Sequence, residues 1–454
     1  MVAHPAGSSF AAEPTDPKPP REERHAWYVV FLLFLGYTLS FVDRQILTLM
    51  VDPISRDLGL TDTQFSLLHG LAFALFYTFL GLPFGWLVDR YDRRVIAAAG
   101  IAGWSAMTML CGTSRTYWHL FLARMGVGVG EATLSPAALS MMADLFPKER
   151  LPRAASVYAI GIAVGSGLAL LFGGYVVHLA QAMEGFDLPL LRDMRPWQIV
   201  FLLVGVIGFP LAYLVFRLQD PPRRELIGNK AALPVREVVA FVRSRSRLFI
   251  CFYLGLSIAT ALGHGVLGWV PSYFIRVQHW TPEQVGLRYG LCVLTFGTLG
   301  LLFGSWLTER FRNGGLQDAP LRASAIGIAL CAPLGVAAPL VDNAWLALFL
   351  FALLQFAYMI PWGIAGAAIQ LVSPNQMRGQ LSALFYFSIN LIGLGLGPTM
   401  VALLSDNVYQ VSGGVRYSLA TAAAVLAPIA ATLLFLGLRA YAQGVASARE
   451  WAET

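Results

Sequence analysis

Charged side chains are scarce in this chain: Asp, Glu, Lys and Arg make up 13% of its 454 residues, about half the share of an ordinary soluble domain. Lysine is nearly missing, with three copies. No GxxxxGK[ST] segment occurs, which excludes a backbone cradle for ATP phosphates. HExxH, GxSxG and HxxxxD are also absent, so nothing points to a membrane protease, esterase or acyltransferase, and an enzyme is not expected. The four cysteines (Cys111, Cys251, Cys292, Cys331) fall in or beside apolar stretches without metal-ligand spacing. They read as inert buried thiols, and neither a metal nor a cofactor is expected. The net charge of +6 lies in short segments between apolar runs, so no nucleic-acid partner is expected either.

Apolar length is what the chain has in quantity: 57% of its residues are hydrophobic and its mean hydropathy is +0.62. A bilayer interior offers no water, so this composition suits a protein that spans it. Runs long enough to cross as helices lie near 26–50, 63–88, 95–113, 117–143, 151–177 and 196–217, and again near 247–275, 282–308, 320–341, 344–372, 379–404 and 416–440. These runs are about twice the length of a barrel strand and do not alternate. The expected fold is an all-α membrane protein of twelve transmembrane helices in two pseudo-symmetric six-helix bundles, 26–217 and 247–440. A basic cytoplasmic linker, 218–246, separates the bundles. Residues 1–25 are polar and Pro-rich and read as a disordered cytoplasmic tail rather than a cleaved signal, and 441–454 read as a second cytoplasmic tail.

The basic residues set the orientation. With the amino terminus inside, segments facing the cytoplasm (Arg90, Arg93, Arg94, Arg150, Arg153, Arg223, Arg243 among them) hold about three times the Lys and Arg of the opposite segments (Arg56, Arg115, Arg276). Both termini are therefore expected in the cytoplasm, in a bacterial inner membrane. The halves also echo each other. Gly81-x3-Gly85 followed by Asp89-Arg90 closes run 2, and Gly300-x3-Gly304 followed by Glu309-Arg310 closes run 8. Such duplication is a common construction among secondary carriers.

Four charges stand where hydrocarbon should be: Asp43 and Arg44 in run 1, Arg124 and Glu131 in run 4. Each is expensive there and needs a reason. At 1.5 Å per residue, Asp43 and Arg124 both lie roughly 10 Å inside the outer ends of their helices, so they are matched in depth. Glu131 is two turns deeper on the same face as Arg124, too far to pair with it. One reading is a titratable relay, in which Asp43 or Glu131 takes a proton and loosens its hold on Arg124 or Arg44. The other is a static ion-pair network. With both acids ionised the set sums to zero, and one proton leaves +1, which suits an anionic head group. Tyr37, His69, Tyr158, His264, Tyr358, Trp362 and Asn390 are candidates to line a cavity. The second half carries no mid-membrane acid, so one wall would be charged and the other apolar and aromatic.

The segment Gly85-Trp86-Leu87-Val88-Asp89-Arg90-Tyr91-Asp92-Arg93-Arg94 resembles the signature G-x3-D-R-x-G-R-R of the major facilitator superfamily, with Asp92 in place of the usual glycine. The resemblance implies that Gly85, Asp89, Arg90, Arg93 and Arg94 form a conformational switch joining the cytoplasmic ends of the two halves, with Asp89 near the start of run 11. Gly161-x3-Gly165-Ser166-Gly167 is similar to the antiporter motif, with Ser166 where that motif has proline. YTLSFVDR in run 1 and RMGVGVGEATLSP in run 4 resemble the spinster-type carriers. That likeness implies proton-linked movement of lysolipids or sphingoid phosphates, with Asp43 and Glu131 coupling protons and Arg44 and Arg124 partnering the acids or the cargo head group. The expectation is thus a proton-coupled carrier of an amphipathic, lipid-like anion, working as a monomer among membrane lipids. An exchanger of a small organic anion or drug is the alternative, and a receptor or scaffold that does not transport is the alternative of another class.

Overall fold

Hydrocarbon imposes one rule on the backbone: every polar group is satisfied within the segment, so the chain crosses as helix. The computed structural model describes residues 20–147, 150–182, 194–223, 234–374 and 376–453, and no strand occurs among them. The first half holds span 1 (Pro20–Ile46), span 2 (Asp62–Ser66, a π turn Leu67–Leu71, then Ala72–Arg90), span 3 (Arg93–Gly112), span 4 (Tyr117–Glu131 and Leu134–Leu145), span 5 (Leu151–Ala182) and span 6 (Pro196–Phe216). The second half holds span 7 (Ser246–Phe249, a π turn Ile250–Leu254, then Gly255–Arg276), span 8 (Pro282–Asn313) and span 9 (Ala319–Leu340). It ends with span 10 (Ala344–Met359, a tight turn Ile360–Gly363, then Ala365–Leu371), span 11 (Arg378–Ser388, a π turn Ile389–Leu394, then Gly395–Asn407) and span 12 (Val415–Glu453).

Among the described residues, 11 helices are long and apolar enough to cross a membrane. Span 4 completes twelve; it fails on length alone because it is broken into pieces of 15 and 12 residues. The break has a local cause. Pro136 lacks an N–H, and its ring clashes with the carbonyl four residues back, at Ala132. The helix therefore ends at Glu131 and restarts at Leu134.

The element bounds depart from the sequence reading at four places. Helix already runs from Pro20, inside the expected tail, whose residues 1–19 lie outside the described set. Span 12 continues through 441–453, where a second tail was expected. The linker carries a helix of its own, Val235–Ser244, which packs Val238, Phe241 and Val242 on the body of the protein. A second short helix, Val51–Leu58, follows span 1 and buries Val51 and Ile54. Both are too short to register as spans.

The linker and the ends of spans 6 and 12 share one face of the protein, the linker side; the opposite face is the far side. The described hydrogen bonds between the halves gather on the far side. Arg276 at the end of span 7 binds Asp52 (Nε to Oδ1, 2.7 Å) and both oxygens of Asp62 (2.7 and 2.9 Å). The Thr63 N–H donates to Asp406 Oδ2 at 2.7 Å. Spans 5 and 8 approach closely there as well. A Cβ on Gly174 would stand 2.7 Å from the Pro282 carbonyl oxygen, and small residues of this kind let membrane helices pack backbone to backbone. Further toward the linker side, the close approaches of span 8 pass to span 10: a Cβ on Gly300 would stand 2.9 Å from Met359 Cβ. The halves are closed on the far side, and the signature-loop acid on the other side, Asp89, is exposed.

Arg276→Gln should loosen the far-side clasp and leave Asp52 and Asp62 facing each other. The clasp is partly solvated, so a shift of about 1 kcal/mol is expected, roughly fivefold in the open population. Cysteine placed at Ser272, which is buried one turn below Arg276, should react correspondingly faster with a water-soluble thiol reagent in the Gln variant. Equal rates would show that the clasp does not hold the far side shut.

Candidate functional site

Asp43 and Arg44 are neighbours on span 1, so their side chains leave the helix about 100° apart and reach different partners. Asp43 meets Arg124 of span 4 (Nη1 to Oδ1, 3.1 Å), the partner matched to it in depth. Thr108 of span 3 donates its hydroxyl to the other carboxylate oxygen. Arg44 binds Glu131, with Nε at 2.7 Å from Oε2 and Nη2 donating to the same oxygen. Side chains tilt toward the amino end of their helix. Spans 1 and 4 run in opposite directions, so Arg44 and Glu131 lean toward each other.

The two pairs differ in enclosure. Asp43 and Arg124 are 2% and 0% exposed at the side chain, whereas Arg44 keeps 11% against 1% for Glu131. Arg44 is thus the member of the four with an opening. Its guanidinium lies over three rings, Phe41 at 4.6 Å, Phe73 at 4.2 Å and Tyr77 at 4.9 Å. Contacts of this type attract a cation to the ring faces. The approach of span 2 that brings in Phe73 depends on Gly128, where a Cβ would stand 2.8 Å from the Phe73 carbonyl oxygen. Two polar groups of the set remain unsaturated by protein: Glu131 Oε1, and Nε and Nη2 of Arg124.

Of the cavity candidates, Tyr37 and Tyr158 stack at 4.4 Å within the first half, and the Tyr158 hydroxyl meets Ser135 at 3.0 Å. His69 is enclosed on the π turn of span 2, facing Gly268 of span 7, and its Nδ1 has no protein partner. His264 is spent locally, with Nδ1 3.1 Å from the Thr260 carbonyl one turn back. Tyr358 lies against Gly263 of span 7 and edge-on to Trp362, 6.0 Å between centroids. Asn390 sits on the π turn of span 11. Tyr37 of span 1 and Tyr158 of span 5 therefore pack together in the first half, and Tyr358 and Trp362 pack together in the second.

In this conformation the arginines of the signature loop bind within the first half and the linker. Arg93 is buried and binds within the first half and the start of the linker: Asp220 (Nε to Oδ1, 2.8 Å), Asp144, Ser140 and the Pro221 carbonyl. Arg94 holds Asp92 at 2.9 Å and the Leu218 carbonyl at 2.8 Å. Arg90 covers Trp86 at 4.0 Å. Asp92, standing for the usual glycine, caps span 3 by accepting from the N–H groups of Arg94 and Val95. A Cβ on Gly85 would meet nothing within 4 Å. The physical reason is the conformation: with the far side closed, the loop's cations find their acids in the first half and the linker.

Sequence reasoning missed Thr108, the ring cage of Phe41, Phe73 and Tyr77, and the Arg276–Asp52–Asp62 clasp. A threonine or phenylalanine in an apolar helix carries no signal of its own, and charges at helix ends are too common to single out.

Comparison with known proteins adds independent findings. The family model described as Major Facilitator Superfamily matches residues 33–398. The chain is 29% identical over 88% of its length to an "MFS-type efflux pump" of Mycolicibacterium smegmatis, covering 89% of that protein. It is 25% identical over 84% of its length to the "Sphingosine-1-phosphate transporter SPNS2" of Danio rerio, covering 76% of it. Among solved structures it superposes with a TM-score of 0.77 and 23% identity on a bacterial homologue of the human lysosomal transporter Spinster, inward-facing and unoccupied, over 96% of this chain and 99% of that one.

Arg124→Ala leaves Asp43 buried with its charge unpaired, which should destabilise the protein by about 3–5 kcal/mol. Replacing both, Asp43→Leu with Arg124→Met, should recover most of that loss, because an apolar pair of similar volume replaces an ion pair at little cost. Thermal unfolding in detergent reads both. A double variant no more stable than Arg124→Ala alone would show that the pair does not act as a unit.

Proposed function

The chain belongs to the major facilitator superfamily, and from that premise we propose that this membrane transporter moves an amphipathic, lipid-like anion, of the lysolipid or sphingoid-phosphate kind, by proton-coupled alternating access. One observation carries the reading: the opening of an otherwise enclosed charge cluster is the Arg44 guanidinium, walled by aromatic rings and held by a single acid, Glu131. An anionic head group and Glu131 compete for Arg44, and the ring faces receive the adjoining apolar chain. A proton on Glu131 removes that acid's claim and frees Arg44 for the cargo; loss of the proton restores the pair and releases the cargo. Asp43, held by Arg124 and Thr108, is the second proton site, drawn on when spans 1 and 4 shift.

In this reading the described conformation is the one open toward the linker side, and Asp89 engages the start of span 11 when that side closes, where the partial positive charge of a helix amino terminus favours an anion. The carrier works as a single chain in a bacterial inner membrane with both termini in the cytoplasm, in keeping with the arginine bias. The resemblance to a transporter named for sphingosine-1-phosphate supports the lipid-like cargo. A second reading, exchange of a small organic anion or drug, is favoured by the likeness to an efflux pump.

In proteoliposomes loaded with a fluorescent lysophospholipid, an imposed pH gradient should drive flux. Glu131→Gln and Asp43→Asn should each abolish that gradient dependence, and Arg44→Ala should lower flux at least tenfold, as for a lost charged hydrogen bond of about 1.5–3 kcal/mol. Gradient-driven flux undiminished in both acid variants would end the proton relay. Displacement of bound lysolipid by small carboxylates instead of by other lysolipids would favour exchange.

A further inference from the structure

The linker helix Val235–Ser244 presents two faces. Val238 is buried, Phe241 and Val242 pack on the body of the protein, and Phe241 meets Phe249 of span 7 edge-on at 5.8 Å. The other face is exposed and reads Arg236, Val239, Ala240, Arg243, at the three- and four-residue spacing that shares one side of a helix. Arg247 follows at the start of span 7 and is exposed as well. Three residues further on stands Ile250, 56% exposed, then Leu254, 37% exposed. An exposed aliphatic strip of this kind at the end of a membrane helix is suited to acyl chains. Arg247 shares the Ile250 face one turn nearer the end of the span, so it lies at the edge of the hydrocarbon, where an arginine stem stays in the apolar layer and the guanidinium reaches the head groups. Val239 lies between the arginines on that face and is 59% exposed.

No ion pair is described for Arg236, Arg243 or Arg247, and the linker helix contains one acid, Glu237. Among the described residues no carboxylate neutralises these three guanidiniums, and each is shaped to take two phosphate oxygens at once. We propose that Arg236, Arg243 and Arg247 form a docking surface for the phosphate head groups of anionic phospholipid in the linker-side leaflet. The surface pins the linker, and with it the start of the second half, to that leaflet. It is separate from the Arg44 cluster and does not depend on what the protein carries.

The full-length transporter, purified in detergent, is titrated with dioleoyl phosphatidylglycerol or dioleoyl phosphatidylcholine, and retained lipid is counted by native mass spectrometry. Wild type should hold the phosphatidylglycerol more tightly, and added salt should erode the preference. Each Arg→Gln change should weaken phosphatidylglycerol binding roughly fivefold, bringing the triple variant close to its phosphatidylcholine affinity, while the triple Arg→Lys variant keeps most of the preference. A triple Gln variant that retains phosphatidylglycerol like wild type, or a wild type without the preference, overturns the proposal. Should the triple variant lose thermal stability, the wild-type titration decides, because a preference insensitive to salt overturns it too.

Discussion

Four ionic groups inside a hydrocarbon layer must neutralise one another or leave it, since an unpaired charge there costs several kcal/mol. That constraint ties span 1 to spans 3 and 4. Asp43 reaches Arg124 and Thr108, and Arg44 reaches Glu131. Much of the surrounding detail serves these contacts. Gly128 lets span 2 come close enough to set Phe73 against Arg44. Pro136 stops the helix at Glu131, so Arg44 approaches a helix carboxyl end, whose partial negative charge favours a cation. The two pairs are chemically alike and differ in setting. One is sealed among three helices; the other borders an opening through its arginine.

The halves are held by contacts of another kind. On the far side a part-solvated clasp, Arg276 with Asp52 and Asp62, sits beside backbone-close packing of spans 5 and 8. Part-solvated ion pairs are worth little each and are remade readily in water, which suits an interface that opens. On the linker side the arginines of the signature loop are engaged with Asp144, Asp220 and the first linker carbonyls, so the linker is fastened to the first half by the same loop that the family resemblance assigns to switching. The π turns fall in spans 2, 7 and 11, and the first and last of these carry His69 and Asn390. Irregular turns of this sort often mark functional stretches of a helix.

The spans were legible because hydrocarbon demands length and apolarity, and both are counted along a single segment. Their ends were less so: helix at 20–25 and at 441–453 runs past the apolar stretch, where hydropathy no longer distinguishes helix from tail. The linker helix went unread for a related reason, since ten residues with arginines interspersed among the apolar ones do not form a continuous run. The charged site was legible in part. Asp43, Arg44, Arg124 and Glu131 announce themselves by standing where ions are expensive, and depth alone matched Asp43 to Arg124. Nothing of that sort marks Thr108 or Tyr77, which are ordinary residues of membrane helices until a neighbour arrives.

By itself the sequence determined that the chain crosses a membrane about twelve times in two halves, and that two of its helices carry ions needing partners, because solvation is a property of each segment taken alone. Only the tertiary structure decided which acid holds which arginine, that Arg44 is the one left beside an opening, that the halves close on the far side, and that Arg93 grips the linker. Those choices depend on helix rotation and backbone approach between segments far apart in the chain, and such distances are fixed by packing and not by composition.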